Sequence, residues 1–371
     1  MVRPLLSAAL IVRDEARFIG GCLRSLAGVV DDVIVVDTGS TDETRAIARG
    51  LGARVVDHPW QGSFAKARNV SLDLALGEWV LYIDADERLV GADRAEVHRL
   101  LHDADEVAFR ILFQPMLDAT PYREYRLWRN DPRIRFDGII HETVVPAIHE
   151  VAEREGRTVG VCDLLLVHEG YEGTQDHKHA RNLPLLREEL VHDPDNLFKR
   201  HHLARVLAGL GRDDEAAVVL GGAVELARQR PYDPLGVLVF TDYVRLRRAS
   251  GHDVAELLAE GRVLYPSNKL LWWVDAAVCV SAGRFDDALE LLDRLVAVDL
   301  STLPDEGPSY DRRIFGESAQ EARGTCLFRL GRYEEAAAAY GLAADLAPGN
   351  LAYRAKRQAA LGRVRATGEA R

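Results

Sequence analysis

Cysteine, methionine and lysine are scarce in this 371-residue chain, and long apolar runs are missing. The four cysteines, Cys22, Cys162, Cys279 and Cys326, lie far apart and form no C-x-x-C pair. That spacing argues against a zinc cage or disulfide framework and predicts buried thiols in a reducing compartment. Five lysines against 42 arginines point to a GC-rich coding sequence and say nothing of mechanism. No stretch approaches the ~20 apolar residues that span a bilayer. The apolar run Leu5–Val12 lacks a small-residue cleavage site and ends in Arg13-Asp14-Glu15. It reads as a buried strand and not as a signal peptide, so the expected location is the cytoplasm. Positive charge is also in deficit: 47 Lys+Arg face 58 Asp+Glu, a net charge of −11, which excludes nucleic acid as the main partner. The deficit is uneven. Residues 1–190 carry 23 basic and 32 acidic side chains, and the remainder carries 24 and 26.

What is present is ordinary for a folded chain of two or three domains, with 47% hydrophobic and 28% charged residues. Two periodicities divide it. In residues 1–190 short apolar runs (LLSAALIV, VIVV at 33–36, RVV at 54–56, WVLYI at 79–83) alternate with helical patterns, one of them Phe64 to Leu76. This pattern predicts an α/β domain with a mostly parallel sheet covered on both faces, its ligand site at the carboxyl ends of the strands. Residues 191–371 read as helical and repetitive. Pro-x-Asn at 194–196, 266–268 and 348–350 begins units, and GRDDEAAVVL, GRFDDALELL and GRYEEAAAAY recur, with a weaker GHDVAELLAE. The glycine of each motif is expected to turn between antiparallel helices. The first two Gly-Arg pairs are 72 residues apart, about twice the ~34-residue period of helix-turn-helix repeats. A Pro/Ser-containing stretch at 300–311 reads as an insertion. Roughly four tetratricopeptide-like repeats and a capping helix at about 350–362 would stack into one solenoid.

The strongest chemical signal is Asp84-Ala85-Asp86-Glu87 after the strand WVLYI. At i, i+2 spacing on a strand both carboxylates would face one side, where a hard divalent ion, Mg²⁺ or Mn²⁺, relieves their repulsion and bridges to phosphate. An EF-hand is excluded, because Leu89 and Ala95 stand where Gly and Glu are required, and Arg88 replaces the Thr of a phosphoaspartate enzyme. Asp37 ends the strand VIVV in the same way, at a rim where a base or ribose can be hydrogen-bonded. Ser40, Thr41 and Asp42 suffice as a helix cap. Arg13, Asp14 and Glu15 add polar groups to that rim, and Lys66 and Arg68 add positive charge, Lys66 equally well as part of a solvated helix face. No G-x-x-x-x-G-K-[ST] phosphate loop, no G-x-S-x-G and no persuasive Cys/His pair occurs.

Together LIVRDEARFIGGCLRSL, VIVVDTGSTDETRAIA, PWQGSFAKARN and WVLYIDADE resemble the nucleotide-sugar half of family 2 glycosyltransferases of the GT-A fold, over about residues 5 to 190. The branch with a tetratricopeptide-like extension includes bacterial enzymes that glycosylate peptide cysteine or serine, and relatives acting on lipid-linked or cell-surface glycans. The resemblance implies an inverting, metal-dependent transfer from a nucleoside-diphosphate sugar, with UDP-hexose as the expected donor, to a peptide, glycan or small-molecule acceptor. It places Asp14, Glu15 and Asp37, with Arg13 beside them, around base and ribose, and Arg68 near the same nucleotide. Asp84 would reach ribose or metal, and Asp86 and His168 would complete the metal site. In FDGIIHE, Glu142 would be the base, with Asp137 as the alternative. Arg13-Asp14-Glu15 replaces the commoner Lys-Asn-Glu, which leaves the base preference open. The repeats would bind acceptor, form a homodimer or support the fold. Two rivals remain: a non-catalytic nucleotide-sugar-binding scaffold, and a nucleotidyltransferase, which would need a Gly-rich basic loop where this chain has RDEARF.

Overall fold

The computed structural model describes residues 3–169, 176–231, 233–304 and 307–368. By internal contacts the chain forms two compact units, residues 1–117 with 121–211, and residues 118–120 with 212–371.

The first unit is built on an eight-stranded mixed sheet of order β3-β2-β1-β4-β7-β6-β8-β5. Strands β1 (Leu6–Val12), β2 (Asp32–Asp37), β3 (Arg54–Asp57) and β4 (Trp79–Tyr82) pair in parallel, each within a residue or two of its predicted run. The rest of the sheet mixes both directions. Strand β7 (Tyr122–Arg129) runs antiparallel to β4 and to β6 (Ala108–Gln114), β8 (Val159–His168) pairs in parallel with β6, and β5 (Glu87–Val90) runs antiparallel to β8. Both faces are covered, as continuous apolar strands require. One core joins Leu10, Val35 and Leu81 to α1 (Ile19–Leu26) through Ile19, Cys22 and Leu26, and to α4 (Arg94–Asp103) through Leu101. The other joins Ile34, Val36 and Val80 to α3 (Phe64–Leu74) through Ala65 and Leu72, and to α5 (Val145–Glu155) through Ile148 and Val151. Between β2 and β3 lies α2 (Thr44–Gly50), and α6 (Asp176–His192) and α7 (Leu197–Gly209) close the unit.

Beyond residue 211 the elements are α8 (Asp213–Gln229), α9 (Gly236–Ala249), α10 (Ala255–Leu264), α11 (Lys269–Ser281), α12 (Phe285–Val296), α13 (Glu317–Arg329), α14 (Tyr333–Leu346) and α15 (Leu351–Gly368). The repeat signals act as anticipated. Gly211, Gly251, Gly283 and Gly331 take φ of 71°, 77°, 74° and 79° after α7, α9, α11 and α13, a left-handed turn that a β-carbon would strain. Each Pro-x-Asn supplies a cap: Asn196 accepts from Lys199 N (2.9 Å), Asn268 from Leu270 N (2.9 Å) and Asn350 from Ala352 N (3.1 Å). Within the 300–311 insertion, residues 305 and 306 lie outside the described residues. Cys22, Cys279 and Cys326 are buried thiols, and Cys162 is half-buried. Among the described residues no helix is long and apolar enough to cross a membrane.

Candidate active site

The carboxyl ends of β1, β2 and β4 form one rim of the sheet. Asp37 ends β2 with its side chain 1% exposed. Its Oδ1 accepts from Gly39 N (3.0 Å) and Ser40 N (2.9 Å), while its Oδ2 is buried without a hydrogen-bond partner. A buried carboxylate oxygen left in that state costs free energy unless a ligand N–H or O–H completes it. Asp14 takes a left-handed φ of 56° and is held by the same turn: its N–H donates to Ser40 Oγ (2.9 Å) and its Oδ1 accepts from Thr41 N (2.7 Å). Glu15 is tied through its N–H to Thr44 Oγ1 (2.8 Å). Burial, with the carboxylates of Asp86 and Asp84 nearby, pushes the Glu15 carboxyl up to about 7. Arg13 is exposed, its Nε 3.8 Å from Asp14 Oδ2.

The Asp-Ala-Asp segment differs from its expected geometry. Strand β4 ends at Tyr82, and residues 84–86 form a turn closed by Glu87 N to Asp84 O (3.1 Å). The strand alternation that would put both carboxylates on one side therefore does not apply. Asp86 Oδ2 lies 3.1 Å from His168 Nε2, brought there because β8 pairs with β5 in the register Glu87↔His168. Hydrogen bonding and charge from His168 hold the Asp86 carboxyl below its usual range, and Asp86 raises the imidazole in return. Asp84 instead faces Arg68 Nη2 (3.0 Å) and accepts from the Tyr82 hydroxyl (3.2 Å). Among the described residues no three His, Cys, Asp or Glu side chains converge on one point. Asp86 and His168 nevertheless suit a divalent ion, since ligands at about 2.1 Å in an octahedron put neighbouring donors about 3 Å apart. Phosphate oxygens and water commonly fill the remaining positions.

Arg68 is the pivot of the site. Helix α3, capped by Ser63 Oγ on Lys66 N (3.3 Å), turns it inward at 7% exposure and leaves Lys66 in solvent. Its Nε donates to Glu142 Oε1 while its Nη2 meets Asp84. Its guanidinium stacks 4.2 Å from the Tyr82 ring. The buried Arg126 lies 4.3 Å from the same ring and pairs with Glu87 (3.0 Å) and Glu124 (2.7 Å). A third stack sets Arg129 4.6 Å from Trp79.

A cavity of about 1570 Å³ opens at this point and brings together Lys66, Arg68, Asp84, Asp137 and Glu142. It does not include Arg13, Asp14, Glu15, Asp37, Asp86 or His168. Asp137 and Glu142 sit on a loop pinched by reciprocal Asp137–Thr143 backbone hydrogen bonds of 3.0 Å. Within it His141 has a left-handed φ of 53° and stacks on His202 of α7 at 4.0 Å. Burial and nearby cations lower the His141 imidazole to about 4 and that of His202 to about 2. Trp128, 1% exposed, is core and not cavity wall. Sequence reasoning missed Tyr82, Arg126 and Glu189. The burial of Arg126 is set by its pairing with Glu87 and Glu124, which the strand YREYRLWR does not announce, and Glu189 reads as one more charge on a polar helix.

A sheet with carboxylates on its carboxyl rim is thus followed in sequence by a helical-repeat unit. A sequence model of Glycosyl transferase family 2 matches residues 7–116, and one of the tetratricopeptide repeat matches 318–350, so the chain carries a family 2 glycosyltransferase domain. It is 39% identical over 151 residues to a TPR repeat-containing protein of Synechococcus elongatus, covering 40% of this chain and 38% of that one. It is 24% identical over 323 residues to the SPbeta prophage-derived glycosyltransferase SunS of Bacillus subtilis, covering 83% and 72%. To a glycosyltransferase of Rickettsia felis it is 44% identical over 130 residues, covering 35% and 43%. The chain thus spans less than half the length of two of these relatives. Distant likenesses among solved structures include S. aureus TarS 1–349 in complex with UDP-GlcNAc (TM-score 0.36, 18% identity, 74% and 87% covered). Another is M. tuberculosis glucosyl-3-phosphoglycerate synthase with Mn²⁺ and UDP (TM-score 0.37, 18% identity, 56% and 80% covered).

Proposed function

We propose that the protein transfers a hexose from a nucleoside diphosphate to an acceptor nucleophile with inversion at the anomeric carbon. The observation that carries this reading is the Arg68 guanidinium, which ties Asp84 on the nucleotide rim to Glu142 on the cavity loop. One side chain thus holds the carboxylate assigned to the donor and the one assigned as base beside the same cavity, where donor and acceptor can be positioned together. Asp37 Oδ2, the unpartnered acceptor, suits an N–H of the base or a ribose hydroxyl, with Asp14, Glu15 and Arg13 around it. UDP is the expected carrier. Asp86 and His168 would hold Mg²⁺ or Mn²⁺, which when bound offsets charge on the diphosphate.

Glu142 takes the acceptor proton as the new bond forms on the face opposite the breaking C1–O bond, and the nucleoside diphosphate leaves with the electron pair. Arg68 neutralises Glu142 until the diphosphate competes for the guanidinium. Asp137 is the alternative base, since it lines the same cavity. Among acceptors a peptide cysteine or serine is favoured, because helical repeats present extended surfaces for peptides; lipid-linked glycans and small molecules are the other candidates. Incubation with Mn²⁺, a panel of UDP-hexoses and candidate peptides should add one hexose mass to an acceptor. Glu142→Gln should slow turnover by about 10²–10⁴-fold while retaining UDP binding. Unchanged turnover in that variant would move the role to Asp137.

A further inference from the structure

We infer that Glu189 of α6 is the positioning residue of the cavity loop: its buried carboxylate, neutralised by Lys199 of α7, fixes the backbone that presents Glu142. This rests on Glu142 as the base. The loop is gripped from two sides. On one, Ser63 Oγ donates to Gly138 O (3.2 Å) and Phe64 N to Ile139 O (2.8 Å), so the start of α3 holds its carbonyls. On the other, the Ile139 N–H donates to Glu189 Oε1, and Lys199 Nζ donates to Glu189 Oε2. Glu189 is 6% exposed, and these donors hold its carboxyl below the usual range despite burial.

The contact leaves no slack. Gly138 has φ +106°, and a β-carbon there would stand 3.2 Å from Glu189 Oε1 and 3.4 Å from Glu142 Cα. The carboxylate, the glycine and the base are consecutive layers of one wall. A buried ion pair is weak as a source of stability, because desolvation offsets most of the attraction. What it supplies is direction: a charged acceptor aimed at one peptide N–H fixes the loop's rotation, and Glu142 lies three residues further on. Helix α6, and helix α7 at which the repeat signals begin, thus act within the first unit.

The test uses the full chain with UDP-glucose and Mn²⁺, reading UDP release to water as kcat and UDP affinity by calorimetry. A displacement of the base by about 1 Å should cost on the order of 100-fold, so Glu189→Ala should lower kcat by about 10–100-fold with UDP affinity within about twofold. Glu189→Gln, whose amide oxygen still accepts from Ile139, should recover most of the rate. On a Glu142→Gln background, Glu189→Ala should cause almost no further loss, because a residue acting through the base has nothing left to position. A general structural role would give additive losses and overturns the proposal. If Glu189→Ala does not fold, Lys199→Met decides, with an expected loss of about tenfold in kcat at unchanged UDP affinity. Wild-type kcat in whichever of these variants folds, beside a slow Glu142→Gln, overturns the Glu189 assignment alone. Wild-type kcat in Glu142→Gln overturns the base and this inference with it.

Discussion

Asp86 Oδ2 and His168 Nε2 stand 3.1 Å apart, although 82 residues separate them in the chain. The first prediction follows from this pair. Asp86→Asn and His168→Ala should each weaken Mn²⁺-dependent UDP binding by at least the roughly 10–100-fold that losing a ligand's outer-shell partner costs. Excess chelator should reduce UDP affinity of the wild type by at least as much, measured by calorimetry. Affinity indifferent to chelator would mean that the acidic rim has been misread.

Asp37 yields a binding prediction separable from stability. Asp37→Asn keeps an oxygen for Gly39 and Ser40 but turns an NH₂ toward the position of the unpartnered Oδ2. Losing one acceptor at a buried site costs about 1–3 kcal/mol, so UDP affinity should fall about 5- to 150-fold. The melting temperature should hardly change. Equal affinity in the variant would remove Asp37 from the nucleotide pocket.

Arg68 gives a stability prediction. Arg68→Met leaves Asp84 and the nearly buried Glu142 without their shared cation. Breaking a buried pair from one side costs about 3–5 kcal/mol, which urea unfolding would register. A double variant, Arg68→Met with Glu142→Gln, should regain part of that loss.

His141 and His202 set an acid limit. Both are held neutral in the fold, at about 4 and about 2, against 6.5 when unfolded. The unfolded chain therefore binds protons first as pH drops below 6.5. Stability attributable to the pair is complete above that value and falls below it, down to about pH 4 for His141 and about pH 2 for His202, by about 1–3 kcal/mol per pH unit while both contribute. Glu189, which faces His141 and is held below the usual carboxylate range, stays charged as the imidazoles titrate. In His202→Phe the acid slope of the unfolding free energy should flatten; an unchanged slope would assign the effect elsewhere. His168 titrates with the opposite sign, since its pairing with Asp86 raises it.

The parallel half of the sheet was legible because strands buried on both faces must be continuously apolar, and β1 to β4 end where their apolar runs end. The antiparallel half was not. The strand YREYRLWR reads as mixed, and only the fold reveals that Arg126 is buried by pairing with Glu87 and Glu124. The Asp-Ala-Asp turn was misread as a strand end, so Asp84 was expected beside Asp86 and instead faces Arg68. Glu189 gave no signal, since a lone glutamate on a polar helix resembles a solvated one until its partners are known. The repeat glycines were legible because a left-handed turn leaves a compositional mark.

The stacked guanidiniums bear on how freely this sequence can be recoded. With 42 arginines and five lysines, exchanging arginine for lysine is an obvious route to altered codon usage or labelling chemistry. At Arg154, paired with Glu150 across one helical turn in solvent, the exchange should pass unnoticed. At Arg68, Arg126 and Arg129 it should not, because each guanidinium sits over a ring while its N–H groups serve carboxylates or carbonyls. An ammonium can neutralise there but cannot fill the plane. The arginine bias is thus interchangeable over the surface and fixed wherever an aromatic face meets an acid.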